Sequence, residues 1–331
     1  MKAKIKRRLR YIPFLPIAII VVFFIRLIRP WCLVRFGDLI SSHIGHLAAH
    51  PELYLCEKEA GINVPKGKKI LDIFFPEKKP ICNKYLLSMW KKSLNIFPEF
   101  IVVPVQKLNS FFSNSEIHEV GQNTQNDRDV HNLFMRYPVH LKFTREEEER
   151  GARNLESMGI PQGKPFVCLL VRDSAYLEKH LGGDWGYQNY RDVDIDNYIL
   201  ATEELVKRGY YVIRMGAIVR KPLKVDHPNV IDYAWTGIRS EFMDIYLGAT
   251  CDFCISTHSG WDAIPNIFRK PIVFTNQTPI GWVFTYRDNF LTIPKRCYSV
   301  KTGRELSFKE IFDFGVGFSC STSDYIGGGY I

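Results

Sequence analysis

The stretch that most constrains this chain runs from Cys251 to Asn276, CDFCISTHSGWDAIPNIFRKPIVFTN. It reads as strand, tight polar turn, helix, strand. Residues 251–255 are apolar except for Asp252 and lead into Ser256-Thr257-His258-Ser259-Gly260, where side chains shrink and the backbone can turn. An amphipathic run, Trp261 to Phe268, follows, and Pro271 opens a second apolar strand. In an open parallel sheet, ligands bind beyond the carboxyl ends of the strands. Ser259 and Gly260 stand at such an end, with a hydroxyl and amides suited to a phosphate. An ordinary crossover with a serine N-cap is the competing reading of the same residues.

The second half repeats this rhythm. FVCLLV (166–171) is a strand with Arg172 and Asp173 at its edge, and a Gly- and aromatic-rich loop follows. A helix from Asp194 to Lys207 leads to the strand YYVIRM (210–215). NVIDY (229–233) and a helix from Ser240 to Ala249 come next. Short apolar strands alternating with helices argue for parallel sheets. Arg172, Arg214 and Ser259-Gly260 then share one sheet edge, an arrangement suited to a diphosphate because Arg bonds phosphate oxygens bidentately and stays charged. The alternative is structural ion pairs, with Asp173 or Asp232 as partners.

At 331 residues the chain suits two domains of about 150. Gly159-Ile-Pro-Gln-Gly-Lys164 is the expected linker. The reading is a membrane-associated segment over 1–29, a first Rossmann-like domain over 30–160 and a second over 161–331. In the first domain, Trp31 to Val34 is a short strand, Arg35-Phe36-Gly37-Asp38 a turn, and LISSHIGHLAAH a helix. ELYLCEKE (52–59), KILDIFF (69–75) and EFIVVPV (99–105) read as strands, and Asn83 to Ile96 as a helix. Residues 106–135 carry no regular pattern, and Glu146 to Met158 is a charged helix.

Asp38 is an acid in a glycine turn at a strand edge, the placement a general base needs; capping the next helix is the alternative. His43 and His46 share a helix face with no third ligand, so no metal is expected. Asp192-Val-Asp194-Ile-Asp196 resembles a metal-holding acid motif but begins a helix, where acids favour the dipole. No GxGxxG follows a first strand and no GxxxxGK[ST] occurs, which argues against a dinucleotide cofactor and a P-loop.

The net charge of +9 is concentrated. Lys2, Lys4, Lys6, Arg7, Arg8, Arg10, Arg26 and Arg29 sit in residues 1–29 with no acid, leaving +1 for the rest. A nearly neutral body argues against a nucleic-acid surface. Between the charges lies YIPFLPIAIIVVFFI (11–25), fifteen residues, short of the roughly 20 a spanning helix needs. The expected form is a helix lying on an anionic cytoplasmic leaflet, with a single-span anchor as the alternative. The eight cysteines show no disulfide framework. Cys251 and Cys254, at odd offset in a strand, should face opposite ways as buried thiols in a reducing compartment.

RFGDLISSHIGHLAAHPELYL, VRDSAYL (171–177), RDVDIDNY with GYYVIRMG (191–216), IDYA with RSEFMDIYLGA (231–249) and CDFCISTHSG together resemble a glycosyltransferase family encoded among bacterial surface-polysaccharide genes. The second half is similar to the nucleotide-sugar domain of GT-B glycosyltransferases, and the Arg-x-x-Gly-Asp turn to that of heptosyltransferases. The resemblance covers about residues 31–290. It implies two facing Rossmann-like domains and a nucleotide-sugar donor held mainly by the second. Arg172, Arg214, Ser259 and Gly260 would bind the donor diphosphate, and Asp38 would be the catalytic base. Arg35, His43, His46 and Asp173 become acceptor or substrate candidates. It also implies a glycan or lipid-linked acceptor near the first domain, no cofactor, and a closing C-terminal helix that is not legible after Ser307 to Phe314. A sugar-nucleotide epimerase or hydrolase of the same fold, or a non-catalytic membrane-tethered subunit, are the alternatives.

Overall fold

The computed structural model describes residues 12–121, 128–181 and 184–331. The chain forms two compact units, Met1–Lys142 and Phe143–Ile331. The expected linker at Gly159–Lys164 therefore lies inside the second unit, and the charged helix preceding it belongs there too. The architecture is mixed α/β, and every pairing between its strands is parallel.

In the first unit, β1 (Cys32–Leu39) pairs with β2 (Lys69–Pro76) from Cys32↔Lys69 to Leu39↔Pro76. Isolated parallel bridges, Phe36↔Glu119 and Phe74↔Ile96, extend this pair on both sides. Helix α1 (Leu15–Leu27) is not a separable anchor. Ala18, Val22 and Ile25 are buried in one cluster with Val34, Phe36, Phe75, Val102, Val103 and Val105. Each buried valine, isoleucine or phenylalanine of this cluster contributes about 1.5–3 kcal/mol by leaving water. Arg26, expected on headgroups, instead donates to Asn109 Oδ1 at 2.8 Å and to the Ser113 carbonyl at 2.6 Å. The opposite face of α1 is exposed and apolar, with Ile17, Ile20, Phe23, Phe24 and Leu27 each more than half accessible. No helix among the described residues is long and apolar enough to cross a membrane. The basic run before Tyr11 lies outside the described residues.

Two expected strands are helices. Residues 52–59 continue α2 (Ile44–Glu59), and 99–105 lie in α4 (Glu99–Asn109). Both contain proline in the helix body, which reads locally as a break. Pro51 leaves the Leu47 carbonyl without its i+4 donor, and Trp90 Nε1, from the last residue of α3 (Lys84–Trp90), supplies one at 2.8 Å. The valines of α4 favour a strand intrinsically, but they are buried against α1, and packing overrides propensity.

The second unit is a six-stranded parallel sheet, order β5-β4-β3-β6-β7-β8. Its strands are β3 (Phe166–Leu170), β4 (Tyr211–Met215), β5 (Val230–Ile231), β6 (Phe253–Ser256), β7 (Ile272–Gln277) and β8 (Phe290–Pro294). All five residues of β3 are buried, as a strand covered on both faces requires. The helices are α5 (Arg145–Ser157), α6 (Ile199–Lys207), α7 (Glu241–Thr250), α8 (Ala263–Ile267), α9 (Phe308–Asp313) and α10 (Thr322–Gly327). Thr144 and Glu147 form a capping box at the start of α5. Gly151 then lets α5 approach α7, since a Cβ there would meet the Tyr246 ring at 2.1 Å. α10 folds onto its own unit: Thr322 Oγ1 donates to the Gly186 carbonyl at 3.0 Å, and Tyr325 stacks on Tyr190 at 5.1 Å.

All eight cysteines are free. Cys251 lies just outside β6, so strand alternation does not govern it. Burial pushes both the Cys168 and the Cys254 thiols up, with Cys251 adding to each.

Candidate functional site

Counted within the second unit, the sheet has the order 3-2-1-4-5-6, which reverses between its first and fourth strands. Those strands are β3 and β6, and open α/β sheets bind ligands beyond the carboxyl ends at that reversal. Arg172 leaves β3 there, and Thr257–Gly260 leave β6. The Arg172 N–H donates to Thr257 Oγ1 at 2.8 Å, and the Thr257 N–H donates to the Leu170 carbonyl at 3.1 Å.

The Arg172 guanidinium is 8% exposed and incompletely satisfied. Its Nε stands 3.3 Å from Asp192 Oδ1, but Nε and Nη2 make no hydrogen bond among the described residues. Burial, then the nearby Arg191, lowers the Arg172 pKa, while burial raises that of Asp192. Both directions describe a pair held with too few partners. Arg191 donates to Gln188 Oε1 at 3.0 Å and to the His258 carbonyl. Lys295, the first residue past β8, is half-buried and donates to the Tyr190 carbonyl at 2.9 Å; burial lowers its pKa. Three cations thus gather around the reversal point.

The turn after β6 is held under tension from within. His258 has φ +59° and Asn276, near the end of β7, has φ +51°, both in the left-handed region. Gln277 Nε2 lies 2.7 Å from His258 Nδ1, and Phe284 meets the same ring edge-on. Asp262 Oδ2 accepts from Ser256 Oγ and from the Ser259 N–H, each at 2.8 Å. Burial pushes the Asp262 carboxyl up to about 6, against those two hydrogen bonds. The Ser259 amide is therefore committed internally, leaving exposed Gly260 as the open backbone of the turn.

Arg214 lies elsewhere. It sits inside β4 opposite Leu169 and donates to Asp232 Oδ1 and to the Lys221 carbonyl, each at 3.2 Å. It is 1% exposed and paired with Asp232, the ion pair offered as the alternative in the sequence, while its Nε makes no hydrogen bond among the described residues. Asp173 accepts from the Ala175 and Arg220 amides, at 2.9 and 3.0 Å, and so shapes the loop after β3. The acidic motif divides: Asp192 faces Arg172, while Asp194 and Asp196 each hold Lys221 Nζ at 2.6 Å. Arg191 and Lys295 were missed in the sequence. Recognising β8 would have exposed Lys295 at the carboxyl edge; nothing local marks Arg191.

In the first unit, Asp38 is an exposed residue within β1, opposite Phe75, rather than in a turn. The strand continues through Gly37 because the Phe74 ring fills the space a Cβ would need, 2.6 Å away. Glu119, on the adjoining bridge, is raised by burial, outweighing its bond to Gln106, with Asp38 adding to the rise. Arg35 is buried and fully engaged: Nε and Nη2 grip Asp72 at 2.7 and 3.0 Å, and Nη1 donates to the Asn63 carbonyl. Its guanidinium is thus committed to structure within the first unit. His43 begins α2, with Ser42 Oγ 2.8 Å from its Nδ1. The His43 and His46 rings lie 5.8 Å apart, and His46 and His50 4.9 Å. Burial, then His46, lowers the His43 pKa. Glu77, just past β2, accepts from the Ser42 amide at 2.9 Å and from its hydroxyl.

No family model matches the sequence, and no curated protein matches it. Among solved structures, the chain is similar to the ADP-heptose LPS heptosyltransferase II of E. coli, with 13% identity and a TM-score of 0.48 over 80% of this chain and 90% of that one. A glycosyl transferase family 9 protein from Veillonella parvula matches at 11% identity and TM-score 0.47, over 79% and 86%. The E. coli heptosyltransferase WaaC with ADP-2-deoxy-2-fluoro heptose matches at 11% and 0.38, over 85% and 98%.

Proposed function

We propose that this protein is a glycosyltransferase of GT-B type. It moves a sugar from a nucleotide-sugar donor to a cell-surface glycan or lipid-linked acceptor, without a catalytic metal. The observation that carries the reading is the Arg172 guanidinium, buried at the reversal point of the sheet with Nε and Nη2 lacking hydrogen-bond partners. A buried cation with unfilled donors beside an exposed glycine turn is suited to a diphosphate. Arg191 and Lys295 add charge that can balance the departing nucleoside diphosphate, a task otherwise given to a metal. Asp38, exposed at the carboxyl end of β1, is the proposed base for the acceptor hydroxyl. His43 and His46, near the same strand end, are proposed to line the acceptor region.

The proposed division of labour puts the acceptor on the first unit and the donor on the second. The exposed apolar face of α1 is proposed to lie on an anionic membrane surface at the cytoplasmic side, keeping a lipid-linked acceptor near Asp38. The test is incubation with a panel of nucleotide sugars, with and without envelope lipid acceptors, following nucleotide release. Release that requires acceptor supports transfer. Release without acceptor means hydrolysis, and failure to bind any nucleotide sugar removes the enzyme reading.

A further inference from the structure

Helix α2 carries Glu52, Cys56 and Glu59 at i, i+4 and i+7, one face of the helix. Glu52 and Cys56 are fully buried. His140 reaches the same face from the segment that closes the first unit, with a side chain 13% exposed. Its Nδ1 lies 3.2 Å from Glu52 Oε1, and its Nε2 lies 3.2 Å from Glu59 Oε1. Among the described residues, neither ring nitrogen makes a hydrogen bond of acceptable geometry. One donor atom from each of Glu52, Cys56 and His140 lies within 4.8 Å of the other two.

A close nitrogen–oxygen approach without hydrogen-bond alignment has a specific origin in metal sites. Two ligand atoms about 2.0–2.1 Å from a tetrahedral ion stand roughly 3.3 Å apart, with lone pairs directed at the ion and not at each other. We propose that Glu52, Cys56 and His140 form a zinc site in the first unit. A thiolate, an imidazole and a carboxylate make a donor set that zinc accepts readily, whereas magnesium and calcium favour oxygen alone. Water completes the fourth position. Glu59 stands beside the other ring nitrogen, where a carboxylate orients a ligating imidazole. Binding converts the Cys56 thiol to a thiolate and releases its proton to solvent, so affinity falls as pH falls. The ion ties α2 to the irregular segment around His140 and is structural; the transfer reaction proposed for the second unit does not use it. A buried imidazolium between two carboxylates is the competing arrangement.

The full-length protein, stripped with chelator, is titrated with Co2+ and then with Zn2+. One equivalent of Co2+ should bind with a thiolate-to-cobalt charge-transfer absorption that Zn2+ abolishes. Cys56→Ser should lose that absorption, although seven other cysteines remain, and Glu52→Gln should lose stoichiometric uptake. Glu59→Gln should weaken Zn2+ binding about 10–100-fold. Zn2+ should also raise the thermal midpoint of the native protein and not that of Glu52→Gln, which preserves side-chain shape. No stoichiometric uptake by the native protein, or a charge-transfer absorption unchanged in Cys56→Ser, would overturn the site in favour of the imidazolium pair.

Discussion

The Arg172 N–H donates to Thr257 Oγ1 at 2.8 Å, joining the residue that leaves β3 to the residue that leaves β6 where the strand order reverses. One hydrogen bond thereby fixes the backbone of the cation relative to the turn it serves. The side chain projects from that anchor with Nε and Nη2 making no hydrogen bond among the described residues, the geometry that the proposed donor site requires.

The two arginines singled out in the sequence should separate on mutation. Arg172→Met should lower turnover by a factor of about 10² or more, the cost of losing one preorganised donor. Arg214→Met leaves Asp232 without its buried partner and should destabilise the fold by about 3–5 kcal/mol. Denaturant midpoints and turnover measured side by side decide the matter. A normal midpoint with lost turnover in Arg214→Met would return Arg214 to the donor site.

Asp38→Asn should reduce turnover by roughly 10²–10⁴, the usual worth of a positioned base. Because the side chain is exposed on β1, the unfolding midpoint should stay unchanged. Full activity in this variant would move the base elsewhere, with Glu119 as the first residue to test.

The first helix has a buried face and an exposed apolar face, which mutation can test separately. Ile25→Ala, in the core cluster, should cost about 2–5 kcal/mol of stability. Ile20→Ser with Phe23→Ser, on the exposed face, should leave stability nearly intact and reduce flotation with anionic vesicles. Vesicle binding unaffected by that pair would dismiss the membrane contact. Removing residues 12–29 should unfold the first unit and not release a soluble enzyme.

Asp262 should make stability depend on pH in a direction unusual for an acid. Its carboxyl is raised from 3.8 to about 6, so the folded state binds the proton more tightly than the unfolded chain. That stability is fully present below about pH 4 and is lost as pH rises through about 6. Asp262→Asn should flatten this part of the profile while keeping an acceptor for Ser259. Identical slopes between pH 4 and 6 in the two proteins would contradict the assignment.

The sequence alone determined the second unit well. Its strands are apolar runs separated by small-residue turns, and burial on both faces of a parallel sheet writes itself into composition. The turn after β6 and Arg172 at the edge of β3 were legible for the same reason: both depend on residues adjacent along the chain. Tertiary structure decided the rest. Arg172 and Arg214 look alike locally, and only tertiary contacts show that Arg214 donates from Nη1 to Asp232 and the Lys221 carbonyl while Arg172 Nε and Nη2 make no hydrogen bond among the described residues. Lys295 joins the cations only because the loop carrying Tyr190 and Asp192 folds over to meet its ammonium. The first unit misled most where proline and valine suggested breaks and strands. There, burial of Val102, Val103 and Val105 against α1 and the Trp90 bond to the Leu47 carbonyl make helices of both segments, through contacts between residues 43 to more than 80 positions apart. Propensity acts over a few residues, whereas burial is set by whichever surfaces meet.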